Sequence, residues 1–86
     1  MVVRIDIFTS VFCNHSPGAV NLVKRLAPDF KGQIEWNEIS IETNEGKEKA
    51  VTLGIDSVPT LVIDGRVTLV GVPSKDQLVS EITKRL

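Results

Sequence analysis

Cys13 is the only cysteine in the chain of 86 residues, and its neighbours Asn14, His15, Ser16 and Pro17 include types that can make a thiol reactive. The thiolate, not the thiol, is the nucleophile in disulfide exchange. Pro17 suits the first turn of a helix, which puts Cys13 just ahead of a helix start. Free backbone N–H groups and the positive end of the helix dipole favour an anion there, and such settings lower a cysteine pKa from about 8.5 to somewhere between roughly 3.5 and 7.5. His15 could add to this when protonated, or could be a solvated loop side chain. Ser16 could donate a hydrogen bond to the sulfur or cap the helix. The competing reading of Cys13 is a small buried hydrophobe. A single cysteine excludes an internal disulfide and any metal site that needs two thiolates from one chain, so neither metal nor cofactor is expected.

The elements that must position Cys13 follow from hydrophobic spacing. Val3, Ile5 and Ile7 alternate with Arg4 and Asp6, which predicts a strand over about Val2 to Phe8. Ala19, Val20, Val23, Leu26, Ala27 and Phe30 recur at helical spacing, and Pro28 should end or kink that helix near Ala27. Ile34, Trp36, Ile39 and Ile41 predict a second strand whose alternation slips after Trp36, so a bulge or an early exit from the strand is expected there. Trp36 is read as packing on an outer strand rather than as a platform for substrate.

Glu45 to Leu53 reads as a short helix with Ala50, Val51 and Leu53 facing inward and Gly54 closing it. Thr60 to Ile63 and Val67 to Val70 flank Asp64-Gly65, the signature of a tight antiparallel hairpin. Ser74 and Gln77 can form a reciprocal cap for a last helix with Leu78, Val79, Ile82 and Leu86 on one face, and Lys84 and Arg85 suit its C-terminal end. The order β-α-β-α-β-β-α, with a right-handed crossover between the first two strands, predicts a four-stranded mixed sheet flanked by three helices in one α/β domain, residues 1–86.

The segment Phe8-Thr9-Ser10-Val11-Phe12-Cys13-Asn14-His15-Ser16-Pro17-Gly18-Ala19 resembles the active-site segment of the small thioredoxin/glutaredoxin-like proteins of archaea. In these a strand leads into a Cys-Pro-X-Cys motif at a helix start. The resemblance spans nearly the whole chain and takes in Ser57-Val58-Pro59-Thr60, which is similar to the family's cis-proline loop, and Gly71, similar to a glycine beside the active site. It implies the thioredoxin fold, a cis peptide at Val58-Pro59, and a backbone edge at Val58 that an extended substrate could pair with. Taken from the residues alone, a trans proline opening a strand would be favoured. The resemblance makes Cys13, Ser16 and His15 the candidate catalytic residues, and Asn14, Val58, Pro59, Thr60 and Gly71 the candidate substrate contacts.

The departures from the family pattern shape the functional reading. Ser16 occupies the position of the resolving cysteine, which closes the route in which a mixed disulfide is released internally. Asn14 and Val11 stand where prolines are usual and leave the loop less stiff. Ile7 occupies the position where thioredoxins bury an aspartate. Val72 replaces the second glycine of the glutaredoxin Gly-Gly pair, and Asp76 lies one position late, both of which weigh against glutathione recognition.

The leading expectation is therefore thiol–disulfide exchange of monothiol type, in which Cys13 attacks a mixed disulfide and an external thiol completes the cycle. A redox-inactive binding domain that keeps the cleft near Val58-Pro59 is the main alternative. An iron–sulfur carrier bridging two chains and a laboratory variant of a dithiol enzyme are the others. With ten basic and eleven acidic residues spread along the chain, bulk charge selects no nucleic acid, and the alternating start is not a signal peptide or membrane span. Expected partners are protein or low-molecular-weight thiols and disulfides, for a soluble, cytoplasmic, monomeric protein.

Overall fold

The computed structural model describes residues 2–86. Strand β1 (Val3–Thr9) leads through a loop into helix α1 (Ser16–Leu26), and a single 3₁₀ turn (Ala27–Phe30) follows. Strand β2 (Ile34–Ser40), helix α2 (Asn44–Leu53), the hairpin β3 (Thr60–Ile63) and β4 (Arg66–Val70), and helix α3 (Lys75–Thr83) complete the chain. Pro28 accounts for the change from α to 3₁₀ geometry, since it can neither donate a backbone hydrogen bond nor fit within a continuing helix.

The sheet runs β2-β1-β3-β4, with β1 parallel to β2 and β3 antiparallel to both of its neighbours. Val3, Ile5, Ile7, Leu61 and Ile63 turn to one face and pack with Ala19, Val23 and Leu26 of α1 and Leu78 and Ile82 of α3. Phe8 and Val62 turn to the other face, against Ala50 of α2. This two-sided cover explains why β3 is buried at all four positions, three of them apolar. The order, the parallel pairing and the mixed sheet are those expected from the sequence.

Three local expectations are corrected. No bulge interrupts β2: its register with β1 is unbroken from Val3↔Ile34 to Thr9↔Ser40. The slip in its hydrophobic pattern reflects a change of covered face, because Trp36 packs with the α1/α3 core and Ile39 with the α2 core. The irregular register lies instead between β3 and β4, after Leu61. Val51 points outward and is 81% exposed, since α2 meets the sheet along the narrow line of Gly46 and Ala50. Leu86 is exposed beyond the end of α3 rather than on its buried stripe.

The predicted turn chemistry is present throughout. Asp64 and Gly65 both take positive φ, at 51° and 81°, as a two-residue hairpin of this hand requires. Gly54 closes α2 in the left-handed region, and Ser74 and Gln77 form both halves of a capping box. Among the described residues no helix is long and apolar enough to cross a membrane.

Candidate active site at Cys13

The β1–α1 loop carries Cys13 at the C-terminal edge of the sheet, between the end of β2 on one side and the loop before β3 on the other. A turn closed by the Cys13 N–H on the Ser10 carbonyl, at 3.1 Å, brings the cysteine to the mouth of α1. His15 precedes the first helical residue without capping through its side chain, and its carbonyl accepts the N–H groups of Gly18 and Ala19. Pro17 fills the first turn, where its missing N–H costs nothing.

Cys13 is half-buried, with its thiol lying 3.5 Å from the Val58 carbonyl, to which it donates when protonated. Its pKa is lowered from the ordinary thiol range, first by the Ser16 hydroxyl hydrogen-bonded to the sulfur, then by the backbone N–H groups of His15 and Ser16. Partial desolvation opposes them and is outweighed. Ser16 is buried, and its oxygen accepts the Ser10 N–H at 3.3 Å. Ser16 does not cap the helix, whose N-cap residue is His15, and it leads the groups that lower the Cys13 pKa. His15 reaches the sulfur through its backbone, and its side chain is exposed.

The Val58-Pro59 peptide is cis, as the resemblance implied. Thr60 is buried and its hydroxyl donates to the Ser57 carbonyl at 2.7 Å, so it braces the loop from within. The Gly71 N–H donates to the Pro59 carbonyl at 2.8 Å, and its φ of 83° is one that a side chain would strain. Val58, Pro59 and Gly71 thus form one backbone cluster against which Cys13 rests, while Asn14 lies exposed in the loop. Val72 packs over Gly18 of α1, beyond that cluster.

A cavity of about 360 Å³ opens on the opposite side of Cys13, lined among others by Thr9, Ser10, Ser16, Glu38 and Ser40. Its polar wall was not singled out in the sequence. Thr9 donates to the Glu38 carboxylate at 3.0 Å, and Ser10 and Ser40 both donate to Glu42. The signal lies in the topology: two parallel strands in register bring their C-terminal residues side by side, so whatever follows Ser40 must meet whatever follows Thr9. Val11 and Phe12, 79% and 86% exposed, present an apolar surface next to this cavity.

Residues 3–83 match the family profile described as thioredoxin domain. The chain is 40% identical over 84 residues to a thioredoxin of Methanocaldococcus jannaschii, covering 98% of this chain and 96% of that one. It is 35% identical over 86 residues to a probable thioredoxin of Methanothermobacter thermautotrophicus, covering 100% and 99% of the two chains. A probable thioredoxin of Archaeoglobus fulgidus is 34% identical over 83 residues, covering 96% of this chain and 89% of its own length.

Proposed function

The chain belongs to the thioredoxin family, and on that premise we propose that it exchanges thiols and disulfides through Cys13 alone, by a monothiol cycle. The Cys13 thiolate attacks one sulfur of a mixed disulfide, forms a disulfide between Cys13 and that sulfur, and expels the other as a thiolate. An external thiol then attacks the substrate-derived sulfur, leaves with it as a new disulfide, and returns Cys13 to the thiolate. Electrons balance, since the external thiol is oxidised and the original disulfide reduced.

The observation that carries this reading is the surroundings of the sulfur. Three donors, the Ser16 hydroxyl and the N–H groups of His15 and Ser16, favour the thiolate at a half-buried position. Ser16 fills the place of a resolving cysteine and serves the nucleophile by a hydrogen bond. The cavity beside Cys13 gives an incoming small thiol room to approach. On the other side, Val58, Pro59 and Gly71 offer backbone to an extended substrate, with Thr60 bracing that loop from within and Asn14 and His15 at its exposed margin. No third element of the cycle has to come from the protein.

The substrates in this reading are protein or low-molecular-weight disulfides, and the protein acts as a cytoplasmic monomer. The test is turnover of a peptide–small-thiol mixed disulfide. Activity should rise with the concentration of the small thiol, vanish in Cys13→Ser, and be absent with a protein dithiol reductant as sole electron donor. Failure of the unsubstituted protein to turn over at any thiol concentration would defeat the reading in favour of a redox-inactive binding domain.

A further inference from the structure

The loop from Ser10 to Cys13 contains no proline, and its own backbone contributes only the turn bond from Cys13 to Ser10. It is held from outside by one carboxylate. Glu42, two residues past the end of β2, accepts the Ser10 hydroxyl at 2.7 Å on one oxygen and the Val11 N–H at 3.0 Å on the other. The Ser10 oxygen in turn accepts the Phe12 N–H at 3.1 Å. Three consecutive residues ahead of Cys13 are therefore fixed by Glu42, directly or through one hydroxyl.

Glu42 is itself held in place. The Ser40 hydroxyl donates to it at 3.0 Å and accepts the Glu42 N–H at 3.2 Å. Thr43 returns a hydroxyl bond to the Ser40 carbonyl at 2.9 Å and caps α2 through Gly46. The carboxylate thus projects from a turn that is bonded on both sides, and Lys47 contributes a favourable charge nearby.

The link to the sulfur runs through Ser10. Its N–H donates to the Ser16 oxygen at 3.3 Å, and Ser16 is the side chain that most favours the Cys13 thiolate. We propose that Glu42 is the positioning residue of this site: it orients Ser10, which orients Ser16 beside Cys13, and so supplies the order that prolines would otherwise give the loop. The inference rests on the thiol-exchange reading of Cys13 and assigns Glu42 no contact with substrate.

Sign separates this role from that of a bystander. A carboxylate that merely lay near the thiol would oppose its ionisation, and removing it would lower the thiol pKa. A positioning carboxylate does the reverse. The experiment is the pH profile of Cys13 alkylation in Glu42→Ala, Glu42→Gln and Ser10→Ala, with amide hydrogen exchange of Val11 and Phe12 measured on the same proteins. Glu42→Ala should move the midpoint upward, slow alkylation below that midpoint roughly three- to tenfold, as expected when about one ordinary net hydrogen bond is lost, and speed exchange at Val11 and Phe12. Glu42→Gln, which keeps one accepting oxygen, should recover part of the loss, and Ser10→Ala should shift the midpoint in the same direction with no change of charge. A midpoint that falls or stays in place in both Glu42→Ala and Ser10→Ala, from a low value in the unsubstituted protein, overturns the inference alone. An ordinary midpoint in the unsubstituted protein overturns the exchange reading on which it rests.

Discussion

At the scale of the residue, the site rests on Cys13 and on Ser16, three positions later in the chain. Ser16 cannot resolve a disulfide, yet its hydroxyl leads the groups that hold the Cys13 thiol below its ordinary range. Replacing Ser16 by Ala should raise the thiol midpoint and slow alkylation at neutral pH roughly three- to tenfold, read by stopped-flow labelling. Replacing Ser16 by Cys should permit an internal disulfide with Cys13, so that a protein dithiol reductant, which reduces that disulfide, can replace the small thiol as electron donor. The residues of this site differ in how visible they are in the sequence. Cys13, Val58, Pro59 and Gly71 lie in three separate short segments, and their resemblance to a known family is what named them together. Glu42 and Ser10 could not be named from the sequence, because a carboxylate that serves a loop 31 positions away leaves no local spacing to read. The split role of His15, backbone toward sulfur and side chain outward, likewise depends on a loop geometry that residue types do not encode.

At the scale of elements, the periodic segments and their caps were legible and the covered faces were not. Asp64-Gly65, Gly54 and the Ser74–Gln77 box each satisfy a local backbone requirement, so their residue types alone announce them. Trp36 and Ile39 mislead as an alternation because β2 serves two cores in succession. Val51 misleads because α2 is covered along a narrower line than its apolar residues suggest. That line is set by Gly46, where a Cβ would collide with the Ser40 carbonyl. Gly46→Ala should accordingly destabilise the fold by about 1–3 kcal/mol in denaturant titration, as overpacking against backbone does. It should also loosen the turn that carries Glu42. Ser74→Ala, which removes one half of the α3 cap far from Cys13, should cost about 1 kcal/mol and leave thiol reactivity unchanged.

For the molecule as a whole, the sheet order puts the two central strands between helices on both faces and leaves the C-terminal edge for the site. Cys13 then lies between a backbone cluster on the β3 side and an open cavity on the β2 side. Two approaches to one sulfur suit a cycle with two successive thiol partners. The same thiolate couples reactivity to stability. A folded-state pKa below the unfolded value contributes stability that is fully present above the unfolded thiol pKa, about 8.5, and is lost as pH falls through the folded pKa. The denaturation midpoint of the native chain should therefore gain on that of Cys13→Ser as pH rises across this interval, and the two should run parallel below it.

The most direct measurement is the rate of Cys13 alkylation by a small reagent as a function of pH, with the urea-unfolded chain as reference. The site described here predicts a folded midpoint clearly below that of the unfolded thiol, with labelling that does not wait for unfolding. A midpoint at or above the reference, or a thiol that labels only once the chain unfolds, would contradict it and leave a thioredoxin fold without thiol chemistry.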